Sequence, residues 1–139
     1  MPNARNIPIR IEVQGVQETI TRLMSYAADV SIILQKVIEA SGAKVIEETK
    51  RRCPVDTNRL RSSIGHPTDP DGIWQLNIVR HVLNLNVGTS VEYAWDVETI
   101  PRHHAVGQAH FMEEGATASI SYIQNYFEQG LREAERRFL

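Results

Sequence analysis

The stretch Cys53-Pro54-Val55-Asp56-Thr57-Asn58-Arg59-Leu60-Arg61-Ser62-Ser63-Ile64 divides the chain. Pro54 cannot continue a helix and disfavours helical backbone at Cys53, so any helix before it must stop there. A side-chain oxygen of Asp56 or Thr57 can then cap a new helical turn over Asn58 to Ile64. Leu60 and Ile64, one turn apart, would anchor that turn to a core. Upstream, the spacing of Leu34, Val37, Ile38 and Val45 predicts a helix from the candidate caps Asp29 and Ser31 to about Arg52. Within it Gly42 costs about 1 kcal/mol against Ala, which suggests close approach by another backbone. Lys50, Arg51 and Arg52 fall in its last turn, where the helix dipole favours cations.

Further out, Ile7, Ile9, Ile11 and Val13 alternate with Pro8, Arg10 and Glu12, the period of a half-buried strand. Pro8 places that strand at a sheet edge or near its own start. Val16 to Ala27 reads as a short helix. Gly65 to Gly72 is a loop by composition. Ile73–Val79 and Val82–Val87 alternate as strands around Arg80-His81, which predicts an antiparallel hairpin. Near the end, Met112, Ala116, Ile120, Ile123, Phe127, Leu131, Ala134 and Phe138 recur every three or four residues, the stripe of an amphipathic helix interrupted by Gly130. These elements predict one domain over 1–139 of α+β class. A small antiparallel sheet packs against a long central helix and a C-terminal amphipathic helix.

A second stretch, Val87-Gly88-Thr89-Ser90-Val91-Glu92-Tyr93-Ala94-Trp95-Asp96-Val97-Glu98-Thr99, follows the hairpin. Gly88-Thr89 closes a strand, and Ser90 can cap a turn that faces Tyr93, Ala94 and Val97 inward. Both stretches read as joints of a scaffold.

Little in the chain points to catalysis. With 139 residues it can bury a core without staples. Its net charge of −2 gives no global attraction to nucleic acid or anionic membrane. The single cysteine, Cys53, makes no disulfide within the chain, fits a reducing compartment and reads as buried filler. No apolar run is long enough for a bilayer, and no signal-like organisation opens the chain. His103, His104 and His110 lack the spacing of a zinc site. Glu92 and Asp96 read as a solvated acidic face, with no accompanying base. A nucleophile elbow and a phosphate loop are both missing. Arg51, Arg52, Arg59 and Arg61 are the local support for nucleic-acid binding.

Taken together, the two stretches resemble the tail-completion, or neck, proteins of long-tailed siphophages and related prophages. That family carries an Ala-Pro-Val-Asp-Thr-Gly-x-Leu-Arg-x-Ser-Ile block, then Val-Gly-Thr-x-x-x-Tyr-Ala-x-x-Val-Glu, then Pro-Phe or a similar pair opening a last helix. The matching positions here are Pro54, Asp56, Thr57, Leu60, Gly88, Thr89, Tyr93, Ala94, Glu98 and Phe111. Three places depart: Asn58 stands for Gly, Thr99 follows Glu98 without the usual Gly, and His110 stands for Pro. Asn tolerates the left-handed conformation that a glycine would supply. The likeness runs from about Ile7 to Arg132.

The resemblance implies a structural virion protein at the head–tail junction, with no enzymatic activity, metal or cofactor. It implies a ring, six-fold first and twelve-fold second, between a head-closure or connector protein and a tail-terminator or tail-tube protein. DNA would pass through without specific binding, and assembly would occur in the host bacterial cytoplasm. Met1 to Asn6, Gly65 to Gly72 and Thr99 to Gly107 are then natural contact elements. Arg59 and Arg61 are candidates for salt bridges to a neighbouring subunit, and Glu92, Asp96 and Glu98 for a lumen wall or subunit contact. The alternatives are a tail-terminator or head-closure role, and, from a different class, a small cytoplasmic hydrolase or nucleic-acid-binding module.

Overall fold

The computed structural model describes residues 7–12, 28–55, 58–79, 82–100 and 107–138. Seven elements follow in order: β1 (Ile7–Glu12), α1 (Ala28–Arg52), α2 (Arg59–Ser63), β2 (Gly72–Val79), β3 (Val82–Thr89), α3 (Ala94–Thr99) and α4 (Phe111–Phe138). The fold is α+β. The expected helix over Val16 to Ala27 lies outside the described residues, as do the proposed caps Asp56 and Thr57.

The sheet is three-stranded and antiparallel, in the order β1-β3-β2. Val79 pairs with Val82, so β2 and β3 form the antiparallel hairpin at the predicted place. β1 returns to the other side of β3, Ile9 opposite Val87 and Ile11 opposite Leu85. Pro8 therefore sits on an edge strand, where a missing donor is tolerated.

Period two sends Leu85 and Val87 of β3 into the core, with Trp74 and Leu76 of β2 beside them. α1 packs across this face with Leu34, Ile38 and Val45. Gly42 lies where the two layers meet: a Cβ there would stand 2.5 Å from Leu85 Cδ2 and 2.9 Å from the Trp74 ring. The close neighbours are side chains of the sheet, not the backbone expected from the sequence.

Backbone approach occurs instead at α4, which runs antiparallel along α1. A Cβ on Gly115 would meet Thr49 Cα at 2.8 Å and Thr49 N at 2.9 Å, and one on Gly130 would meet Val37 Cγ2 at 2.5 Å. The line of closest approach on α4 is thus made of Gly115, Ser119, Gly130 and Ala134, all buried, with Ile123, Phe127 and Leu131 of the expected stripe packed on the core beside it. Ile120 departs from its expected place in the stripe. It falls at the rim of the face and is 51% exposed, because small residues occupy the line of closest approach. Asp29 and Ser31 lie inside α1 and do not precede it. Its end at Arg52 is where Pro54 requires.

Candidate functional site

The two sequence blocks meet in a second core separate from the helix–sheet core. Cys53, Leu60, Ile64, Val91, Ala94, Phe111 and Met112 are buried together, with Val97 against them. Leu60 and Ile64 come from the first block, Val91, Ala94 and Val97 from the second, and Phe111 and Met112 from the start of α4. Burial pushes the Cys53 thiol up to about 12, which suits an unreactive filler.

Hydrogen bonds stitch this joint. Ser63 Oγ and Thr89 Oγ1 are 2.7 Å apart and buried. Ser63 also donates to the Leu60 carbonyl at 2.7 Å, and Val91 N–H donates to Thr89 Oγ1 at 3.1 Å. Gly65 N–H donates to the Gly88 carbonyl at 2.9 Å. Arg59 pairs with Asp71 at 2.7 Å in its own chain, so this guanidinium is held locally. Asp71 holds it chiefly through that hydrogen bond, which raises the Arg59 value further.

Glu98 has a role that sequence reasoning missed. Expected on an acidic surface, it is 8% exposed. Its carboxylate accepts Met112 N–H at 2.9 Å and Glu113 N–H at 3.1 Å. Its carbonyl accepts His110 N–H at 2.8 Å. A carboxylate there satisfies orphan donors of α4 and meets the positive end of its dipole. The signal was present only as a Glu ahead of an uncapped amphipathic helix, thirteen residues before Phe111.

Two positions that depart from the neck-family blocks take left-handed backbone: Asn58 at φ 65° and His110 at φ 58°. Asn58 does what a glycine would do there. His110 adopts a φ closed to proline, whose ring fixes φ near −65°. Gly107, at φ 87°, lies so close to Cys53 and Pro54 that a Cβ would stand 2.4 Å from Pro54 N. The Gln108 N–H donates to the Arg52 carbonyl at 2.9 Å. The loop is thereby tied to the end of α1.

Tyr93 was expected inward and is 38% exposed; it precedes α3, and Ala94 takes the buried position. Ser90 does not cap α3 either. Its N–H and hydroxyl both donate to the Asp71 carbonyl, at 2.8 and 3.2 Å. What faces outward around α3 is Glu92, Tyr93, Trp95, Asp96 and Ile100, with Trp95 48% exposed. Arg61 is exposed nearby on α2 and has no ion pair among the described residues.

The basic cluster weighed for nucleic acid is largely neutralised. Arg52 contacts Glu48 at 2.8 Å, Arg51 contacts Glu47 at 3.2 Å and Glu48 at 3.3 Å, and Lys44 reaches Glu48 at 3.3 Å. The Glu48 carboxylate is almost fully buried. The Arg52 hydrogen bond, joined by Lys44 and Arg51, outweighs burial and holds it below the usual carboxylate value.

Glu98, His110 and Glu113 bring one potential ligand atom each within 4.8 Å of one another. Both Glu98 oxygens already accept helix N–H groups, and a helix N-terminus repels cations. Capping, not coordination, explains this cluster.

No helix among the described residues is long and apolar enough to cross a membrane. A search of the curated proteins and of the solved structures found no significant match. Residues 17–115 match the family model HK97-gp10_like, described as "Bacteriophage HK97-gp10, putative tail-component". That match spans most of the chain and includes both sequence blocks, α1 and the whole hairpin. The chain belongs to the HK97-gp10-like family of bacteriophage tail components.

Proposed function

We propose that this protein is a neck, or tail-completion, component: a structural ring that joins the head connector to the tail. The observation that carries the reading is its membership of a tail-component family over 17–115, the region that holds both neck-type blocks. In this reading the residues of the blocks build a joint and perform no catalysis. Leu60, Ala94, Glu98 and Phe111 are buried in it, Thr89 is hydrogen-bonded through it, and the polar groups have protein partners. The outward groups suit contact with other virion proteins. Tyr93, Trp95 and Ile100 are exposed aromatic and aliphatic side chains beside Glu92 and Asp96, and aromatic residues are enriched at interfaces. Arg61, Glu92 and Asp96 stay candidates for subunit contacts, whereas Arg59 and Glu98 are engaged within the chain.

A ring needs a heterologous contact whose rotation closes. Mass photometry and negative-stain imaging of the purified protein and of isolated necks test this. Six-fold rings are expected, with twelve-fold as the alternative. A strictly monomeric species in both settings refutes the reading. Arg61→Glu should weaken assembly more at low salt than at high salt, because salt already screens the wild-type attraction.

A further inference from the structure

The hairpin strand β2 has the sequence Gly72-Ile73-Trp74-Gln75-Leu76-Asn77-Ile78-Val79. It is an edge strand of the sheet. It holds no charge, no proline and, past Gly72, no glycine over its full length. Edge strands of proteins that remain monomeric are guarded by lysines, prolines, bulges or brevity, because a bare edge offers unpaired N–H and C=O groups to another chain. Among the described residues β2 has none of these guards. In a hairpin closed by two residues, Val79 and Val82 exchange hydrogen bonds, and the alternation of the ladder then turns the N–H and C=O of Trp74, Leu76 and Ile78 toward the open side.

The outer face of the same sheet is equally unusual. Gln75 and Asn77 are exposed on β2, opposite Asn86 and Asn84 of β3, so the β2–β3 hairpin carries uncharged amides away from α1. The Asn84 Oδ1 is buried without a hydrogen-bond partner among the described residues.

Resting on the ring reading above, we infer that the open edge of β2 is a subunit contact, taken by β1 of a second copy of this chain. β1 is the opposite edge of the sheet, and both strands run antiparallel to β3. A rotation that carries one subunit to the next along the sheet therefore brings β1 alongside β2 in parallel pairing. The registers match. Ile9 and Trp74 both stand opposite Val87, Arg10 and Gln75 opposite Asn86, and Ile11 and Leu76 opposite Leu85. Main-chain hydrogen bonds supply the affinity, as in other strand additions.

Disulfide trapping tests the contact. Arg10 and Gln75 stand opposite the same residue, Asn86, on its two sides. Within one chain they are separated by two strand spacings, about 9.6 Å, beyond the roughly 7 Å that a disulfide can span. The variant with Arg10→Cys and Gln75→Cys can therefore link only between copies. Arg10→Cys with Asn77→Cys, and Glu12→Cys with Gln75→Cys, cover a stagger of two residues. Native Cys53 is buried and supplies the uncrosslinked control. Oxidation of one double variant should give a ladder of covalent multimers ending at the ring, with each single variant unlinked. Dimers from Gln75→Cys alone mean that β2 pairs with itself and overturn β1 as its partner. Rings of native mass with no covalent link in any pair overturn the edge contact and leave the ring reading standing. Monomers throughout, in the purified protein and in isolated necks, overturn both.

Discussion

The Thr89 hydroxyl donates to Ser63 Oγ across 2.7 Å, joining the two sequence blocks inside the second core. The direction follows from counting protons. Ser63 has one hydroxyl proton, which goes to the Leu60 carbonyl, while Thr89 Oγ1 accepts Val91 N–H. A continuous relay thus runs from Val91 through Thr89 and Ser63 to α2.

Thr89→Val keeps the shape and breaks that relay. It strands Val91 N–H in a buried site, a loss of about 1–3 kcal/mol. Urea denaturation reads it directly. Thr89→Ser should recover most of the loss, because the hydroxyl rather than the methyl carries the effect; equal stability of the valine variant would refute the relay.

Glu98→Ala leaves the Met112 and Glu113 N–H groups at the start of α4 without their acceptor. The expected cost is about 1–2 kcal/mol, the range of lost helix caps. Hydrogen exchange at Met112 and Glu113 should accelerate well beyond exchange at mid-helix amides. Unchanged protection there would show that another group holds the helix end.

Gly115→Ala should destabilise the protein even though alanine is the better helix former by about 1 kcal/mol. The new methyl would meet the backbone of Thr49, which has nowhere to move, and overpacking of this kind costs roughly 1–3 kcal/mol. Gly42→Ala should cost less, since its neighbours are the tips of Leu85 and Trp74 and a side chain can turn. Thermal melts of the two variants give the order.

Glu48 makes stability depend on acid. Its folded-state value lies below the ordinary one, so its contribution is complete above the unfolded value of about 4.3. That contribution is lost as pH falls through the depressed folded value. Glu48→Gln should be less stable than wild type at pH 7, with the gap closing as pH falls below about 4. Urea midpoints across that range provide the measurement, and a gap independent of pH would contradict the ion-pair account.

Leu60→Ala should cost about 2–5 kcal/mol as a truncation in the second core. Tyr93→Ala should barely alter the melt, because that ring is exposed, and should act on assembly instead. A melt lowered equally by both would put Tyr93 back in the core.

Much of the fold was legible. Pro54 stopped α1 at Arg52, the alternation of Ile73–Val79 and Val82–Val87 marked the hairpin, and Phe111 opened α4. These features depend on neighbours a few residues apart, so a local pattern suffices to read them. Hydrophobicity misjudged Ile120 because closeness between helices is set by what is small. Ile123, Phe127, Leu131 and Ala134 of the stripe do reach the core, but Gly115, Ser119 and Gly130 carry little apolar signal and yet lie on the line of closest approach. Alternation and spacing likewise did not distinguish Tyr93 from Ala94 on the short turn that enters α3.

By itself, then, the sequence determined the element types, their order, the α+β class and the two blocks on which a tail-component assignment rests. The tertiary structure alone decided which polar groups those blocks commit inward. Glu98 looks like a third member of an acidic surface until α4 arrives to offer its N–H groups, and Arg59 looks free until Asp71 comes to 2.7 Å. Both partners are distant in sequence. A charged side chain is exposed or buried according to whether the folded chain supplies the hydrogen bonds that replace water.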